Sequence, residues 1–113
     1  MSTIYVRTFN LKDSLSDAEV ASYWRSLIDE MVPVVQRVKG VQSVKVYSGA
    51  GALRADCRIV ILMDDAGVYE RLLADDGVRK LLGRFYGAID MKTSTQAFRR
   101  EITPELIRAL SGS

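Results

Sequence analysis

Apolar and polar residues alternate along this chain in ways that mark strands and amphipathic helices. The longest alternating run is Ala52–Asp64. Leu53, Ala55, Cys57, Ile59, Ile61 and Met63 share one face of it, and Arg54, Asp56, Arg58, Val60 and Leu62 share the other. A wholly apolar face predicts helices packed on it. The mixed face, charged at one end and apolar at Val60 and Leu62, predicts a different partner. Residues 3–9 alternate with Ile4 and Val6 on one side and Tyr5, Arg7 and Phe9 on the other. In Val41–Ser48, Val44 and Val46 oppose Lys45 and Tyr47. Ser48-Gly49-Ala50-Gly51 reads as the turn of an antiparallel hairpin between this strand and the long one. A last strand, rich in Thr and Ser, is predicted over Ile89–Arg99. Its inner face is contested between Met91, Thr93, Thr95 and Lys92, Ser94, Gln96.

Asn10 to Leu15 reads as a polar connection, after which Ser16 and Glu19 have the spacing of a capping box. Beyond it, Val20, Trp24, Leu27, Ile28, Met31, Val34, Val35 and Val38 recur at helical intervals up to Gly40. Pro33 removes a ladder hydrogen bond inside this stretch and predicts a bend or break near Asp29–Pro33. Asp64 or Asp65 is placed to cap a second helix with Val68, Leu72 and Leu73 on its stripe. Asp75-Asp76-Gly77 interrupts it, and Val78, Leu81, Leu82 and Phe85 resume the pattern. Thr103 and Pro104 open a short terminal helix with Leu106, Ile107 and Leu110 on one side, and Ser111–Ser113 reads as a frayed tail.

The order strand, helix, strand, strand, helix, strand is that of the α+β ferredoxin-like βαββαβ fold, a four-stranded antiparallel sheet with both helices on one face. One domain over residues 1–113 is expected. Assigning Ile4, Val6, Val44, Val46 and the Leu53–Met63 set to the helices leaves Tyr5, Arg7, Phe9, Lys45, Tyr47, Arg54, Asp56, Arg58, Val60 and Leu62 facing outward. So much aromatic and aliphatic surface predicts a binding surface or a subunit contact, and a homodimer through the bare sheet face is the expected solution.

The arrangement resembles the dimeric α/β-barrel superfamily. The resemblance rests on the long first helix, the strand Val41-Gln42-Ser43-Val44-Lys45-Val46-Tyr47 after Gly40, and the broken second helix through Leu73-Ala74-Asp75-Asp76-Gly77-Val78. It implies homodimers whose two sheets close into a shared barrel, with a small-molecule pocket between helices and sheet or inside the barrel. It also implies a range of activities that includes cofactor-independent monooxygenases, polyketide cyclases, muconolactone isomerases and haem-degrading enzymes.

Composition removes several classes. Sixteen basic against fourteen acidic residues give a net charge of +2, which offers nucleic acid or anionic membrane little attraction. The sequence has no histidine and one cysteine, Cys57. This excludes histidine-ligated haem and Ser-His or Cys-His nucleophile pairs, and it argues against zinc and iron–sulfur sites. No disulfide can form within one chain. With no secretory signal and no apolar run near the roughly 20 residues that cross a bilayer, a reducing cytoplasm is expected. The predicted third strand carries no aromatic on its mixed face, unlike RNA-recognition sheets.

Among groups able to do chemistry, Arg7, Tyr47 and Arg58 are the catalytic candidates, and Tyr5, Arg7, Lys45, Tyr47, Asp56, Arg58 and Trp24 the ligand-binding ones. Arg54, Asp56 and Arg58 form either an anion-binding edge or, the reading given more weight, a salt-bridge ladder at the sheet rim. Tyr5, Arg7, Lys45 and Tyr47 either converge on a cavity, where a cation beside a phenol favours an enolate, or pack an interface. Trp24 and Cys57 read primarily as core, and Asn10 as a turn former. The expectation is a homodimeric small-molecule-binding protein that needs no metal or cofactor. It is either a monooxygenase-like or cyclase/isomerase-like enzyme on an aromatic or polyketide-like substrate, or a non-catalytic ligand-binding or stress-associated domain. Its ligand is aromatic or anionic.

Overall fold

The structure, a computed structural model, describes residues 2–50 and 53–112. Gly51 and Ala52, where the Gly-rich turn was expected to meet the long strand, lie outside the described residues, as does Ser113 of the expected tail. Four strands, β1 (Thr3–Leu11), β2 (Val41–Tyr47), β3 (Cys57–Met63) and β4 (Ile89–Arg99), make one antiparallel sheet in the order β2-β3-β1-β4. Helices α1 (Asp17–Ser26), α2 (Val32–Gln36), α3 (Val68–Ala74) and α4 (Asp76–Gly87) bury Val20, Trp24, Val35, Val68, Leu72, Val78 and Phe85 in a common core with the sheet. The short α5 (Pro104–Leu110) buries nothing. This is the ferredoxin-like arrangement. No helix among the described residues is long and apolar enough to cross a membrane.

Local chemistry accounts for the helix ends. Ser16 Oγ accepts from the Glu19 N–H at 3.1 Å and Glu19 Oε1 accepts from the Ser16 N–H at 2.9 Å, which closes the capping box. Hydrogen bonding from the Ser16 backbone N–H, and then from its hydroxyl, holds the Glu19 carboxyl below the usual carboxylate range. Asp75 caps α4 by accepting from Val78 N–H, and Thr103 caps α5 by accepting from Leu106 N–H. The bend expected from Pro33 takes the form of a π-helical turn, Leu27–Met31, between α1 and α2, with the Val32 N–H reaching back to the Leu27 carbonyl. A wider turn just ahead of a residue that cannot donate accommodates the broken ladder without ending the helical run. Gly40, at φ +98°, turns the chain into β2 so close to α3 that a Cβ there would collide with Val68.

Two expectations fail in the sheet. The first concerns the long strand, which begins at Cys57. Before it, Leu53–Asp56 forms a turn in which the Arg54 carbonyl accepts from Leu11 N–H and the Ala55 carbonyl from Gly49 N–H. Asp56 sits in left-handed backbone at φ +51°, which breaks the alternation, and Asn10 Oδ1 accepts from its N–H. Leu53 is therefore 55% exposed instead of lining the apolar face. From Cys57 to Met63 the apolar face stands as expected, buried at every second residue.

The second concerns β1, whose faces are the reverse of those expected. Tyr5 pairs with Ile61, Arg7 with Ile59 and Phe9 with Cys57, so Tyr5, Arg7, Phe9 and Leu11 point at the helices, while Ile4, Val6 and Thr8 lie on the open face. The larger apolar volume decides it. Phe9 and Leu11 are almost wholly buried, and burying them outweighs the exposure of Ile4 and Val6. Opposite β1, a bulge places Met91–Ser94 of β4 between the Thr8–Thr95 and Asn10–Asp90 pairs. Beyond it Gln96 and Phe98 pair with Arg7 and Tyr5 on the helix side, and Ala97 and Arg99 face the open side. This settles the contested strand in favour of Ser94 and Gln96.

Two substitutions test the core. Phe9→Ala should cost about 3–5 kcal/mol in denaturant unfolding, while Thr8→Ala should stay within about 1 kcal/mol; the reverse order would mean that β1 is turned the other way. The Tyr23 hydroxyl is buried with no hydrogen-bond partner among the described residues, and Tyr23 stacks on Phe85. Tyr23→Phe should therefore raise stability by up to about 1 kcal/mol, and a loss of stability would reveal a buried partner for the hydroxyl.

Candidate functional site

The faces of the sheet form two hollows. The inner one, about 80 Å³, lies between the sheet and the helices, where Tyr5, Arg7, Ile59 and Ile61 meet Tyr69 and Leu72 of α3 and Leu82, Phe85 and Tyr86 of α4. The half-buried Arg7 organises it. Arg7 Nε donates to Ser94 Oγ at 3.2 Å, and Nη1 donates to the hydroxyls of Tyr86 at 3.2 Å and Tyr5 at 3.4 Å. Its guanidinium lies 4.8 Å from the Tyr86 ring centre and 6.0 Å from that of Phe85. Gln96 Oε1 accepts from Tyr5 at 2.8 Å and from Tyr69 at 3.4 Å, and the Tyr5, Tyr69 and Phe98 rings pack on one another at 4.9–5.4 Å. Burial raises the Tyr5 hydroxyl well above the ordinary tyrosine pKa, against the opposing pull of Arg7, so it remains a protonated donor at neutral pH. The described lining contains no carboxylate, histidine, lysine or thiol. The cleft can hold an oxygen atom and stack a ring, but it offers no general base.

The outer hollow, about 500 Å³, is the concave open face of the sheet, with Val6, Thr8, Tyr47, Arg58, Val60, Ala97 and Arg99 along it. The site residues expected from the sequence are therefore divided. Tyr5 and Arg7 are in the inner cleft, whereas Tyr47, Arg58 and Lys45 lie on the opposite face of the sheet, with β3 between them. The convergence of Tyr5, Arg7, Lys45 and Tyr47 on one cavity does not occur. Tyr5 and Arg7 stand beside Ile61 and Ile59 of β3, Lys45 and Tyr47 beside Val60 and Arg58, and successive residues of β3 face opposite sides of the sheet. The Arg54–Asp56–Arg58 ladder is also not formed. Arg54 turns away to the Leu15 carbonyl and Asp17 Oδ1 at 3.0 and 2.8 Å, and Asp56 is in the turn, 3.6 Å from Arg58. Both members of that last pair are more than half exposed, so it stabilises little.

Trp24 is core. Its ring stacks on Phe9 at 6.3 Å and its Nε1 donates to the Leu53 carbonyl at 2.6 Å, beside a shallow outer groove and away from the inner cleft. Cys57 is buried, and burial, aided by the nearby Asp56 charge, pushes its thiol up to about 11, which keeps it unreactive at neutral pH. Asn10 pins the turn through Asp56, as a turn former should. Tyr69, Tyr86, Ser94 and Gln96 were not singled out by sequence reasoning. For the two tyrosines a signal exists: Tyr69 precedes Leu72 and Leu73 by three and four residues, and Tyr86 follows Leu82 by four, so both border the apolar stripes.

No protein-family model matches the chain, and no curated protein matches it in sequence. Solved structures do. Rv0793 of Mycobacterium tuberculosis superposes with a TM-score of 0.70 at 10% identity, over 91% of this chain and 97% of its own. A mutant of SnoaB, a cofactor-independent oxygenase of Streptomyces nogalater, gives a TM-score of 0.70 at 14% identity over the same shares. A dimeric protein of unknown function from Bacteroides fragilis, with a ferredoxin-like fold, gives 0.73 at 8% identity over 88% and 96%. At such identities the likeness speaks for architecture: the chain has the ferredoxin-like fold.

Proposed function

We propose that this chain is a homodimeric small-molecule-binding protein of the reducing cytoplasm, one domain over residues 1–113, that takes a small aromatic ligand into the cleft between sheet and helices. The observation that carries this reading is the cleft itself. Aromatic and aliphatic side chains line it, and one group of polar atoms, around Arg7, converges at one side. A buried apolar cavity that admits benzene is about 150 Å³, and the hollow here is about 80 Å³, so it takes at most one ring, seated partly in its open mouth, and has no room for a fused-ring polyketide. The open sheet face supports the dimer. Val6, Val60 and Ala97 are half-buried in a concave surface that a second copy would cover, and it would enclose Tyr47 and Arg58.

A second reading makes the protein a cofactor-independent enzyme, in the manner of SnoaB, which is an oxygenase of that kind. Its support is Arg7 beside the Tyr86 hydroxyl, which accepts from Arg7 and keeps its own proton to donate, a pair suited to stabilising an oxyanion that develops on a bound ring, while the Tyr5 proton is held by Gln96. Against it stands the lack of any base in the described lining, which leaves deprotonation to the substrate's own acidity. Binding without turnover is the better supported of the two.

Light scattering on the eluting protein should give about 25 kDa, twice the 12.6 kDa chain, and Val60→Glu should give the monomer mass with the helical signal retained. A wild-type monomer at micromolar concentration would overturn the dimer. Single-ring aromatic compounds at a hundredfold excess over their Kd should stabilise the protein by about 2.7 kcal/mol, read as a rise in Tm. Oxygen uptake or product formation with such a ligand, no cofactor being added, would move the assignment to the enzyme reading.

A further inference from the structure

Arg7 has no counter-charge among the described residues: no carboxylate there forms an ion pair with it, and none lines the cleft. Its three bonded N–H groups are taken up by neutral oxygens, those of Tyr5, Tyr86 and Ser94, and Nη2 has no partner among the described residues. The ring faces of Tyr86 and Phe85 offset part of the cost of keeping a cation there. They are a weaker substitute for an anion, because a half-buried guanidinium is stabilised most by a charge-assisted pair that its fork can grip.

We propose that the free Nη2 edge of Arg7 anchors a single negatively charged oxygen group on an aromatic ligand, an arenecarboxylate or an ionised phenol, whose ring lies against Tyr69, Tyr86 and Phe85. This rests on the reading of the inner cleft as the ligand site and adds the charge and the orientation of what enters it. One arginine with no lysine beside it matches one negative charge and leaves a phosphate dianion half-compensated. The hydroxyls of Tyr5 and Tyr86 and the Ser94 Oγ stay bonded to the guanidinium, so they fix its plane and hence the angle at which the ligand's ring must enter.

The test compares ligands of the same shape and different charge on the full chain. Calorimetry should show benzoate binding about tenfold or more tightly than benzamide, a preference that should fall to about one in Arg7→Met while benzamide binding is retained. Should Arg7→Met fail to fold, Arg7→Lys carries the test. It keeps the charge and loses the fork, and its benzoate preference should shrink without vanishing. A pH series with 4-nitrophenol separates the two sources: affinity that climbs as the phenol ionises and exceeds that of benzoate assigns a phenolate, and the reverse order assigns a carboxylate. Equal binding of benzoate and benzamide by the wild type would overturn the anchor and leave the cleft as a neutral aromatic site. Tighter binding of inorganic phosphate than of benzoate would overturn the anchor's match to a single charge. Failure of every aromatic to bind would overturn both the anchor and the cleft.

Discussion

The register of β1 against β3 is the constraint on which everything else depends. Because strand side chains alternate, pairing Tyr5 with Ile61 and Phe9 with Cys57 fixes at once which residues meet the helices and which meet solvent. A shift of one residue would bring Ile4, Val6 and Thr8 inward, turn Phe9 out and carry Arg7 to the open face. The cleft would lose its polar centre and the open face its aliphatic patch. Phe9 holds the register by volume: it is fully buried against Trp24 and Phe85, and the open face has nothing comparable to offer it.

That constraint also separates what was legible in the sequence from what was not. Helix positions were legible because a cap and an apolar stripe are local: Ser16 with Glu19 and Thr103 with Pro104 each act within a few residues, and Asp75-Asp76-Gly77 marked the break between α3 and α4. The cap expected from Asp64 or Asp65 is not formed, α3 starting after Gly67 with no side-chain cap. The order of elements followed, and with it the fold. Strand faces were harder, since a short alternating segment such as residues 3–9 carries hydrophobic residues on both sides, and only the partner strand decides between them. The weight of Phe9 extended by Leu11 was available, but Leu11 was read as connection. The start of β3 was hidden for a different reason. Alternation runs through Leu53–Asp56 unbroken, and what ends the strand there is the left-handed backbone of Asp56 and a bond from Asn10, 46 residues earlier.

The candidate site shows the same division. Arg7 was legible as a group to watch, being a cation within an apolar strand. Its surroundings were not, because Tyr86 and Ser94, and Gln96 behind Tyr5, come from 79 to 91 residues away along the chain and across a bulge whose length no local rule sets. Tyr47 and Arg58 were grouped with Arg7 by chemistry and are held apart by geometry. The sheet that lies between them makes two environments, one dry and aromatic, the other concave and cationic.

The strand order has a consequence in time. β1 is made first and lies between β3 and β4, so its second edge waits for the last strand of the sheet, with Tyr5 and Gln96 separated by 91 positions. Contacts this distant close slowly, since the chain between them must be ordered before they add stability. Through most of synthesis the first strand therefore has an unpaired edge open to neighbouring chains, a hazard that ends only when β4 docks. The Arg7 cluster takes Ser94 and Gln96 from that same strand, so its polar framework is among the last parts of the molecule to assemble.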